Sequence, residues 1–592
     1  MKNSQSLPSD SFLFLLILLS PVARAFPRQS HHHHHHHHPL IQPVVVSHTS
    51  LVTMKRSLTD AQEDTAITDA TPSNPVEIPR LSPQHEAKSV SLATFGATAV
   101  LLPVVTATVL PLSLVYQTGK YVASKITSSN SSSTSTPSLD TGLTPRKMIP
   151  RHERTYDIVV LGVTGFTGGL AARYLAQEYG TRIPWAMAGR NLDKLQKLRQ
   201  QLADELNMPE LITEIPLIVA DTANSDTLHD LCQDTRAVAT TAGPYSLYGN
   251  TVVEACAKYG THYVDITGEV DWARSMIDAW QDTAIATGAR LVPFCGHDSI
   301  PWDMVTHRVQ EEFLKQFPND TMESIVFWDE VNGSAPGGTI ATIQTGIRGT
   351  APPLPPIDRN AVDPMRRLPD GTKSTFKAKA DLPSFIQPAS SPWDSADTPL
   401  NNNKKKNTNQ QRWTVPFIMA AINANIVSWS HALRQRGAPQ LSYREMQVLP
   451  NFRTAFVTYF GQVMMGMMLF NPVTNSLLQK YVLPKPGEGP PMDKMLHKHY
   501  MYITAEGIGR QGNRVQSVLY FSKDVGCLET ARLMVEAGLC LAQDEKKLPV
   551  AQGGFWTPST GMGSLLWNRI LNKDTNMVVQ SFPADQSHQA KL

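Results

Sequence analysis

Cysteine and net charge are both scarce in this sequence, and each shortage excludes a class of protein. The chain of 592 residues has only five cysteines, with no C-x-x-C spacing and no histidine at zinc-ligand distance. Neither a disulfide scaffold nor a metal site is therefore predicted. The 53 Lys and Arg residues nearly cancel the 51 Asp and Glu residues, leaving a formal net charge of +2. No overall field attracts nucleic acid, and we expect no nucleic-acid partner.

Acidic residues are absent between Asp10 and Asp60. Before this gap closes, an apolar run at residues 12–19 and the triplet Ala23-Arg24-Ala25 predict a signal peptide over residues 1–25. Residues 26–87 are predicted to be disordered or transit-like. Together they suggest import through the secretory pathway into a complex plastid, and the alternative is a plain secretory or ER signal followed by a disordered tail. The final residues 590–592 resemble a peroxisomal address, which is a minor alternative.

Charge of either sign is absent between Lys88 and Lys120. Residues 88–120 are therefore predicted to contain a membrane segment, with residues 91–116 long and apolar enough to cross a bilayer. Pro103 and Pro111 also permit a re-entrant or surface hairpin. The Ser- and Thr-rich residues that follow predict a linker over 121–154. A second polar and Pro-rich stretch, at about 351–410, is predicted to be a disordered insertion or a lid.

A short apolar run at residues 156–161 leads directly into closely spaced glycines and then a helical pattern. Strand, glycine turn and helix in this order are typical of dinucleotide binding. The first glycine permits a tight turn, the second lets the backbone approach a pyrophosphate, and the third lets helix and strand pack closely. The candidate cofactor-binding residues of this turn are Gly162, Thr164, Gly165, Phe166, Thr167 and Gly168.

Arg190 follows the second predicted strand, where an NAD-binding site would place an acidic residue. A guanidinium suits a ribose 2'-phosphate, so the sequence favours NADP(H) as the cofactor. The alternative is a solvated arginine at the start of a helix. Further cofactor candidates lie after the third and fourth predicted strands: Asp221, and then Ala242, Gly243 and Pro244.

These motifs occur in an order that resembles the saccharopine dehydrogenase-like oxidoreductases, including the trans-acting enoyl reductases. The likeness extends from about residue 155 to the C-terminus, apart from the polar insertion. It is carried by five blocks: Gly162-x-Thr164-Gly165-Phe166-Thr167-Gly168, Ala188-Gly189-Arg190, Thr241-Ala242-Gly243-Pro244-Tyr245-x-x-Tyr248-Gly249, Gly260-Thr261-His262-Tyr263-x-Asp265-x-Thr267-Gly268-Glu269 and Cys295-Gly296-x-Asp298-Ser299-Ile300-Pro301.

The resemblance implies an α/β fold with a Rossmann-type doubly wound parallel sheet at 155–301, following the disordered N-terminal extension. A second α+β domain, for substrate or dimerisation, is expected at 302–592, with a C-terminal segment returning to the Rossmann domain. The resemblance also implies NADP(H) binding, association with lipid or lipid droplets and, for some members, reduction of a double bond in a lipid precursor of glycolipids. It does not imply lysine metabolism.

The catalytic candidates are Tyr245, Tyr248 and Asp298, which follow strands of the predicted sheet. Either tyrosine is a candidate proton donor, and Asp298 a candidate for orienting the carboxamide or a water. Alternatively, the tyrosines simply pack and Asp298 caps a helix. The neighbouring His297 is either a proton donor or an aromatic-sized filler. No S-x-x-x-Y-x-x-x-K arrangement is evident, which argues against short-chain ketone reduction.

An uncharged stretch at residues 456–470 is rich in Met and aromatic residues. It predicts either a core or homodimer-interface helix, or a pliable, membrane-dipping helix for a lipid-like substrate. The leading hypothesis is a membrane-associated NADP(H)-dependent oxidoreductase acting on such a substrate. The alternatives are a noncatalytic NADP-binding scaffold on membranes or lipid droplets, and a true saccharopine dehydrogenase.

Overall fold

The computed structural model describes residues 149–333, 337–348, 362–389, 411–485, 487–572 and 574–583. The predicted signal peptide, the transit-like region and the predicted membrane segment lie outside these residues, as does nearly all of the linker. Within the described ranges, none of the helices combines the length and the apolar character that crossing a membrane requires.

Seven parallel strands form the first sheet, in the order β14-β6-β5-β4-β1-β2-β3. Their central members are apolar because helices cover both faces of the sheet. Residues 158–161 of β1 are fully or almost fully buried. The strands are β1 (Tyr156–Leu161), β2 (Trp185–Gly189), β3 (Leu217–Val219), β4 (Thr235–Thr240), β5 (His262–Asp265), β6 (Arg290–Val292) and β14 (Gly554–Phe555).

The connections between these strands are helical, as parallel pairing requires. The helices are α1 (Phe166–Glu178), α2 (Leu192–Leu206), α3 (Glu210–Glu214), α4 (Ser225–Gln233), α5 (Tyr245–Tyr248), α6 (Asn250–Tyr259) and α7 (Val270–Thr287). Strand order reverses at β1, which lies between β2 and β4. Ligands of such sheets bind outside the carboxyl ends of the strands at this reversal.

The second sheet is mixed and has the order β15-β13-β12-β7-β11-β10-β9, with β8 paired to β11. Its strands are β7 (Met322–Asn332), β8 (Lys377–Ala380), β9 (Gln387–Pro388), β10 (Trp413–Pro416), β11 (Gln440–Leu449), β12 (Tyr500–Gly509), β13 (Arg514–Phe521) and β15 (Thr575–Phe582). The accompanying helices are α8 (Ile300–Gln316), α9 (Gly337–Arg348), α10 (Ala420–Arg434), α11 (Phe452–Phe470), α12 (Pro472–Tyr481), α13 (Met492–His497), α14 (Thr530–Gln543) and α15 (Pro558–Ile570).

The C-terminal part of the chain contributes to the first sheet. The short strand β14 pairs in parallel with β6, and α14 packs on α1 and on the central strands. Gly538 of α14 approaches so closely that an added Cβ would lie 2.7 Å from Cδ1 of Ile158. The Tyr174 and Tyr179 hydroxyls donate hydrogen bonds of 2.7 Å to Glu536 on the same helix. The predicted α/β fold class, with a Rossmann-type parallel sheet and a second mixed-sheet domain, is confirmed.

The expectation of a disordered insertion at 351–410 is wrong for residues 362–389. Strand β8 pairs with β11, and β9 pairs with β10. Pairing uses backbone groups, so a polar edge strand such as β8 needs little apolar sequence. Two side chains anchor the segment: Met365 is buried, and Ser374 donates a hydrogen bond of 2.8 Å to the Ala432 carbonyl. The flanking parts of the insertion lie outside the described residues.

Candidate functional site

The glycine turn between β1 and α1 requires two of its glycines. Gly162 has a φ of 91°, in the left-handed region that side chains other than glycine avoid. Gly168 lies against the same residue, because a Cβ there would be 2.3 Å from the Gly162 carbonyl oxygen. The Thr241 hydroxyl donates a hydrogen bond of 3.2 Å to that oxygen, which joins the turn to the loop after β4.

The start of α1 offers backbone N–H groups to an anion. Its N-cap is Gly165, and no side chain caps the helix. The first N–H groups of a helix have no intrahelical partner and carry the positive end of its dipole. Thr164 and Gly165 are exposed, whereas Thr167 is buried. Phe166 is half-buried beneath the second domain, where an added Cβ on Gly489 would lie 2.2 Å from its ring.

Arg190 and Asp221 follow the adjacent strands β2 and β3. Arg190 is exposed and forms no ion pair with any residue in the described part of the chain. The neighbouring Asn191 caps α2 by accepting a hydrogen bond from the Lys194 N–H. Asp221 uses one carboxylate oxygen to accept a bond of 3.0 Å from the Ala223 N–H. The guanidinium of Arg190 is thus free to meet a phosphate beside the turn.

The loop after β4 brings the remaining cofactor candidates to the same edge of the sheet. The Ala242 N–H donates to the Thr240 hydroxyl at 3.2 Å, and Gly243 is exposed. Pro244 is buried and follows a cis peptide bond. All the predicted cofactor residues therefore lie at the carboxyl ends of β1 to β4, on one edge of the sheet.

Tyr245 packs in the core rather than facing a substrate. Its ring is 5.5 Å from that of Trp272, and its hydroxyl donates to the Thr240 carbonyl and accepts from the Ile266 N–H. Burial and then the Asp265 carboxylate raise its pKa well above the ordinary value. The hydroxyl hydrogen is already used, so the packing interpretation holds and the catalytic assignment of Tyr245 is not supported.

Tyr248 differs from Tyr245 in its surroundings. It lies at the last position of α5 and is 42% exposed. Glu269 lies in the loop after β5 at the same edge. Its two carboxylate oxygens accept the N–H groups of Tyr245 and Ser246, at 2.7 and 3.0 Å, and so fix the start of α5. Tyr248 therefore remains a candidate for proton transfer, and Glu269 is a positioning group.

Asp265 is a structural carboxylate. It accepts the Thr267 and Phe294 N–H groups and the Tyr263 hydroxyl, and is fully buried. These bonds hold the loops after β5 and β6 together. His297 is also buried, with its ring edge-on to Trp302 and Phe521. Burial lowers its pKa to about 3, so the ring is neutral near pH 7 and fits the filler interpretation.

Asp298 lies two residues before the start of α8 and is only partly buried. Burial raises its pKa to about 6. A raised pKa means that folding favours the neutral carboxyl, so the stabilisation is complete below the unfolded pKa and is lost as pH rises through about 6. A carboxyl whose pKa is raised in this way, at the edge of the sheet where the cofactor candidates lie, is typical of a functional group.

Replacing Asp298 with asparagine should therefore stabilise the chain at high pH. We expect Asp298→Asn to raise the free energy of unfolding by about 1 kcal/mol at pH 8, after allowance for partial exposure, and to change it little at pH 4. Thermal unfolding at the two pH values measures this. The exposed Asp282→Asn is the control and should show no such difference. Equal stability of wild type and Asp298→Asn at pH 8 would contradict the prediction.

Two buried carboxyl groups were not among the sequence-based candidates. Asp329 on β7 and Glu445 on β11 are fully buried on adjacent strands of the second sheet, and burial raises the pKa of each carboxyl. The only signal in the sequence is an acidic residue within an apolar strand pattern, Phe327-Trp328-Asp329. Such a residue is normally assigned to the solvated face of a strand, so its burial is visible only in three dimensions.

Comparison with known proteins identifies the family. The family model described as saccharopine dehydrogenase NADP binding domain matches residues 158–290. The chain is 30% identical over 428 residues to the trans-acting enoyl reductase of Mycobacterium tuberculosis, covering 71% of this chain and 96% of that protein. For the trans-acting enoyl reductase of Mycobacterium ulcerans the identity is 32% over 442 residues, covering 72% and 98%.

Among solved structures, the apo histidine-tagged saccharopine dehydrogenase (L-Glu forming) from Saccharomyces cerevisiae aligns with 72% of this chain and 99% of that chain, at 10% identity and a TM-score of 0.40. The predicted cofactor NADP(H) is confirmed by the family model, and the relatives support the prediction of an enzyme. The chain belongs to the saccharopine dehydrogenase-like oxidoreductases, and within them it is a homologue of the trans-acting enoyl reductases.

Proposed function

We propose that this oxidoreductase reduces a carbon–carbon double bond next to a carbonyl group in a lipid-like substrate, at the surface of a membrane or lipid droplet. The observation that carries the proposal is the extended likeness to proteins named trans-acting enoyl reductases. An apolar helical surface in the second domain supports the lipid-like character of the substrate. A role in glycolipid biosynthesis is part of the proposal.

The cofactor-binding residues of the proposal fit a dinucleotide phosphate. The uncapped start of α1 and the close contact of Gly168 with Gly162 leave the backbone open to a pyrophosphate. Arg190 stands one strand away and is free to hold a 2'-phosphate. When bound, NADPH supplies the hydride. Of the predicted catalytic residues, Tyr248 and Asp298 lie in loops at the carboxyl ends of the first sheet. Their polar groups are able to orient the substrate or a water.

The apolar surface consists of exposed side chains on α11 and α12 and just after them. Residues 454–479 carry no charge, and Arg453 and Lys480 flank them. The large apolar residues of this surface have these exposed fractions: Phe452 42%, Met465 38%, Leu477 53%, Tyr481 69% and Val482 65%. An uncharged helical surface with flanking cations is typical of helices that lie in a membrane interface. The earlier alternative of a core helix does not explain this exposure.

The proposed localisation is a membrane or lipid droplet reached through the N-terminal residues. The leader, the transit-like region and the predicted membrane segment would bring the chain through the secretory pathway to a plastid or to the ER and lipid droplets, with the peroxisome as the minor alternative. A homodimer through the same helices is the competing use of the apolar surface. Fluorescent fusions of residues 1–60 and of the full chain separate the compartments.

A turnover assay tests the proposed activity. The full chain is incubated with NADPH and the N-acetylcysteamine thioester of trans-2-dodecenoic acid, and the control contains the saturated thioester. We expect NADPH oxidation with the unsaturated probe alone. Tight NADPH binding without oxidation by this probe or by any lipid extract would favour a noncatalytic scaffold. Oxidation with glutamate plus aminoadipate semialdehyde would instead identify a saccharopine dehydrogenase.

Membrane contact has its own test. We expect the paired variant Leu477→Ser and Val482→Ser to lower binding to phosphatidylcholine and phosphatidylglycerol vesicles about 30-fold, because each side chain loses on the order of 1 kcal/mol of burial in the interface. Vesicle flotation of the full chain measures this. The control is Leu314→Ser, which is similarly exposed but lies on α8. The prediction would be contradicted if the double variant and Leu314→Ser lost vesicle binding equally, or if the double variant lost none.

A further inference from the structure

The loop between α12 and α13 (residues 482–485 and 487–491) brings the second domain into contact with the glycine turn of the first. Gly489 of this loop lies against Phe166, the first residue of α1. A Cβ added to Gly489 would be 2.2, 2.3 and 2.6 Å from Cε1, Cζ and Cδ1 of the Phe166 ring. The backbone of the loop therefore packs directly on the ring, in a contact that only glycine permits.

The start of α9 holds this loop in place. Gly337, the first residue of α9, donates its N–H to the Glu488 carbonyl at 3.1 Å. The first N–H groups of a helix have no intrahelical acceptor, so this one is available to the loop. A Cβ on Gly337 would be 2.0 Å from the Lys485 carbonyl oxygen, a backbone atom that cannot rotate away as a side chain can. The anchor at Glu488 and the ring contact at Gly489 are consecutive residues.

The loop is closed on itself beside this anchor. The Glu488 N–H donates to the Lys485 carbonyl at 2.9 Å, and the Glu488 carboxylate accepts the Lys485 N–H at 3.0 Å. The Leu483 N–H donates to the Leu478 carbonyl at 2.8 Å, which joins the beginning of the loop to α12. These bonds fix Glu488 relative to Lys485, so a displacement at the anchor also displaces the residue that follows it.

Helix α9 is itself fixed within the second domain. It packs on α11, and the Gln344 amide lies between two side chains of α12. Gln344 donates to the Asn475 side-chain oxygen at 3.5 Å and accepts from the Gln479 amide at 2.7 Å. Asn475 is buried. The anchor of the loop thus belongs to a packed helical layer.

The position of Phe166 affects the direction of the first N–H groups of α1. Phe166 directly follows the N-cap Gly165, and no side chain among the described residues caps this helix. The N–H of Phe166 is one of those that lack an intrahelical acceptor and are offered to a pyrophosphate. The ring also packs against the main apolar core, which limits its freedom to yield to a displaced loop.

We propose that Gly337 and Gly489 are positioning residues for NADP(H). Helix α9 holds the loop, and the loop holds Phe166 where the N–H groups of α1 can bind the cofactor pyrophosphate. Neither glycine is assigned a contact with the cofactor, because each acts through Phe166. The second domain thereby completes the nucleotide site of the first. This inference rests on the predicted glycine-turn site and is independent of the proposed reaction and its substrate.

Adjacent glycines of α9 provide the first test. A Cβ on Gly338 would meet no atom of the described residues within 4 Å, in contrast to one on Gly337. We expect Gly337→Ala to lower NADPH affinity at least about tenfold, because the loop must leave Phe166, and Gly338→Ala to stay within about twofold of wild type. Titration of the full chain, followed by nucleotide fluorescence, measures both. Equal NADPH affinities of the two variants would overturn the inference.

A double-mutant cycle tests whether the effect passes through Phe166. We expect Gly489→Ala to lower NADPH affinity about tenfold in the wild-type background and less than about twofold in Phe166→Ala, where the ring is gone. This cycle also decides the question if Gly337→Ala does not fold. Losses of the same factor in both backgrounds, or no loss in the wild-type background, would reject Gly489 as a positioning residue.

A nucleotide without a pyrophosphate distinguishes positioning from general damage. Adenosine 2'-monophosphate keeps the phosphate that Arg190 is predicted to bind. We expect Gly489→Ala to bind this nucleotide within about twofold of wild type while its NADPH affinity falls, and equal losses for both ligands would refute the inference. If Gly168→Ala leaves NADPH affinity unchanged, the glycine-turn site itself is wrong. If only the Gly337 and Gly489 variants leave it unchanged, this inference alone fails.

Discussion

Replacing Gly168 with alanine is expected to lower the affinity for NADPH at least about 100-fold. The added Cβ would lie 2.3 Å from the Gly162 carbonyl oxygen and 2.7 Å from the Thr241 hydroxyl. Backbone at the glycine turn must move to relieve this overlap, at a cost of about 3 kcal/mol. The start of α1 then no longer directs its N–H groups to a pyrophosphate. Titration of the protein with NADPH, followed by nucleotide fluorescence, measures the loss.

The next residue provides a control for this substitution. A Cβ on Gly169 would have the Val163 carbonyl oxygen as its nearest neighbour at 3.5 Å, an ordinary contact. We expect Gly169→Ala to bind NADPH within about twofold of wild type, because alanine also favours a helix by about 1 kcal/mol relative to glycine. Comparable losses in the two variants would show that the region is merely sensitive to substitution.

Arg190→Ala should remove the preference for NADPH over NADH. A guanidinium bound to a phosphate contributes about 1.5–3 kcal/mol, which corresponds to about 10- to 100-fold in affinity. Arg190 is exposed and has no carboxylate partner among the described residues, so its charge is available to the ligand. We expect NADPH affinity to fall by this factor while NADH affinity stays within about twofold. Parallel titrations with the two nucleotides measure the ratio.

Lys197→Ala is the control for a nonspecific effect of net charge on nucleotide binding. It removes one positive charge from an exposed position further along α2. This variant should leave the NADPH to NADH ratio unchanged, because screening at physiological salt weakens a charge that does not touch the phosphate. Tighter binding of NADH than NADPH by the wild type would reject Arg190 as a phosphate ligand.

The cofactor region could be predicted because its chemistry is local in the sequence. The strand, the turn and the helix are consecutive, and Gly162 and Gly168 satisfy steric demands that only a few residues create. Arg190 follows from its position after the next strand. Parallel strands then bring these segments to one edge, so sequence order was sufficient to place them.

The remaining site could not be predicted because it depends on side-chain direction and distant pairing. Tyr245 follows a strand in a family motif, but its hydroxyl points inward to the Thr240 carbonyl. Asp329 and Glu445 are far apart in sequence and come to adjacent strands only through the pairing of β7 with β11. The ordered part of the insertion was missed for a related reason. Its strands gain stability from backbone pairing with β10 and β11, which leaves little trace in composition.

The pairing of β14 with β6 has a consequence for biogenesis. The nucleotide-binding sheet begins at residue 156, yet its seventh strand comprises residues 554–555. A ribosome must therefore synthesise nearly the whole chain before that layer can close, and α14, which covers the central strands, also emerges late. A truncated product ending before residue 530 would lack both elements. The complete seven-stranded layer therefore forms only after residues 530–555 have been synthesised.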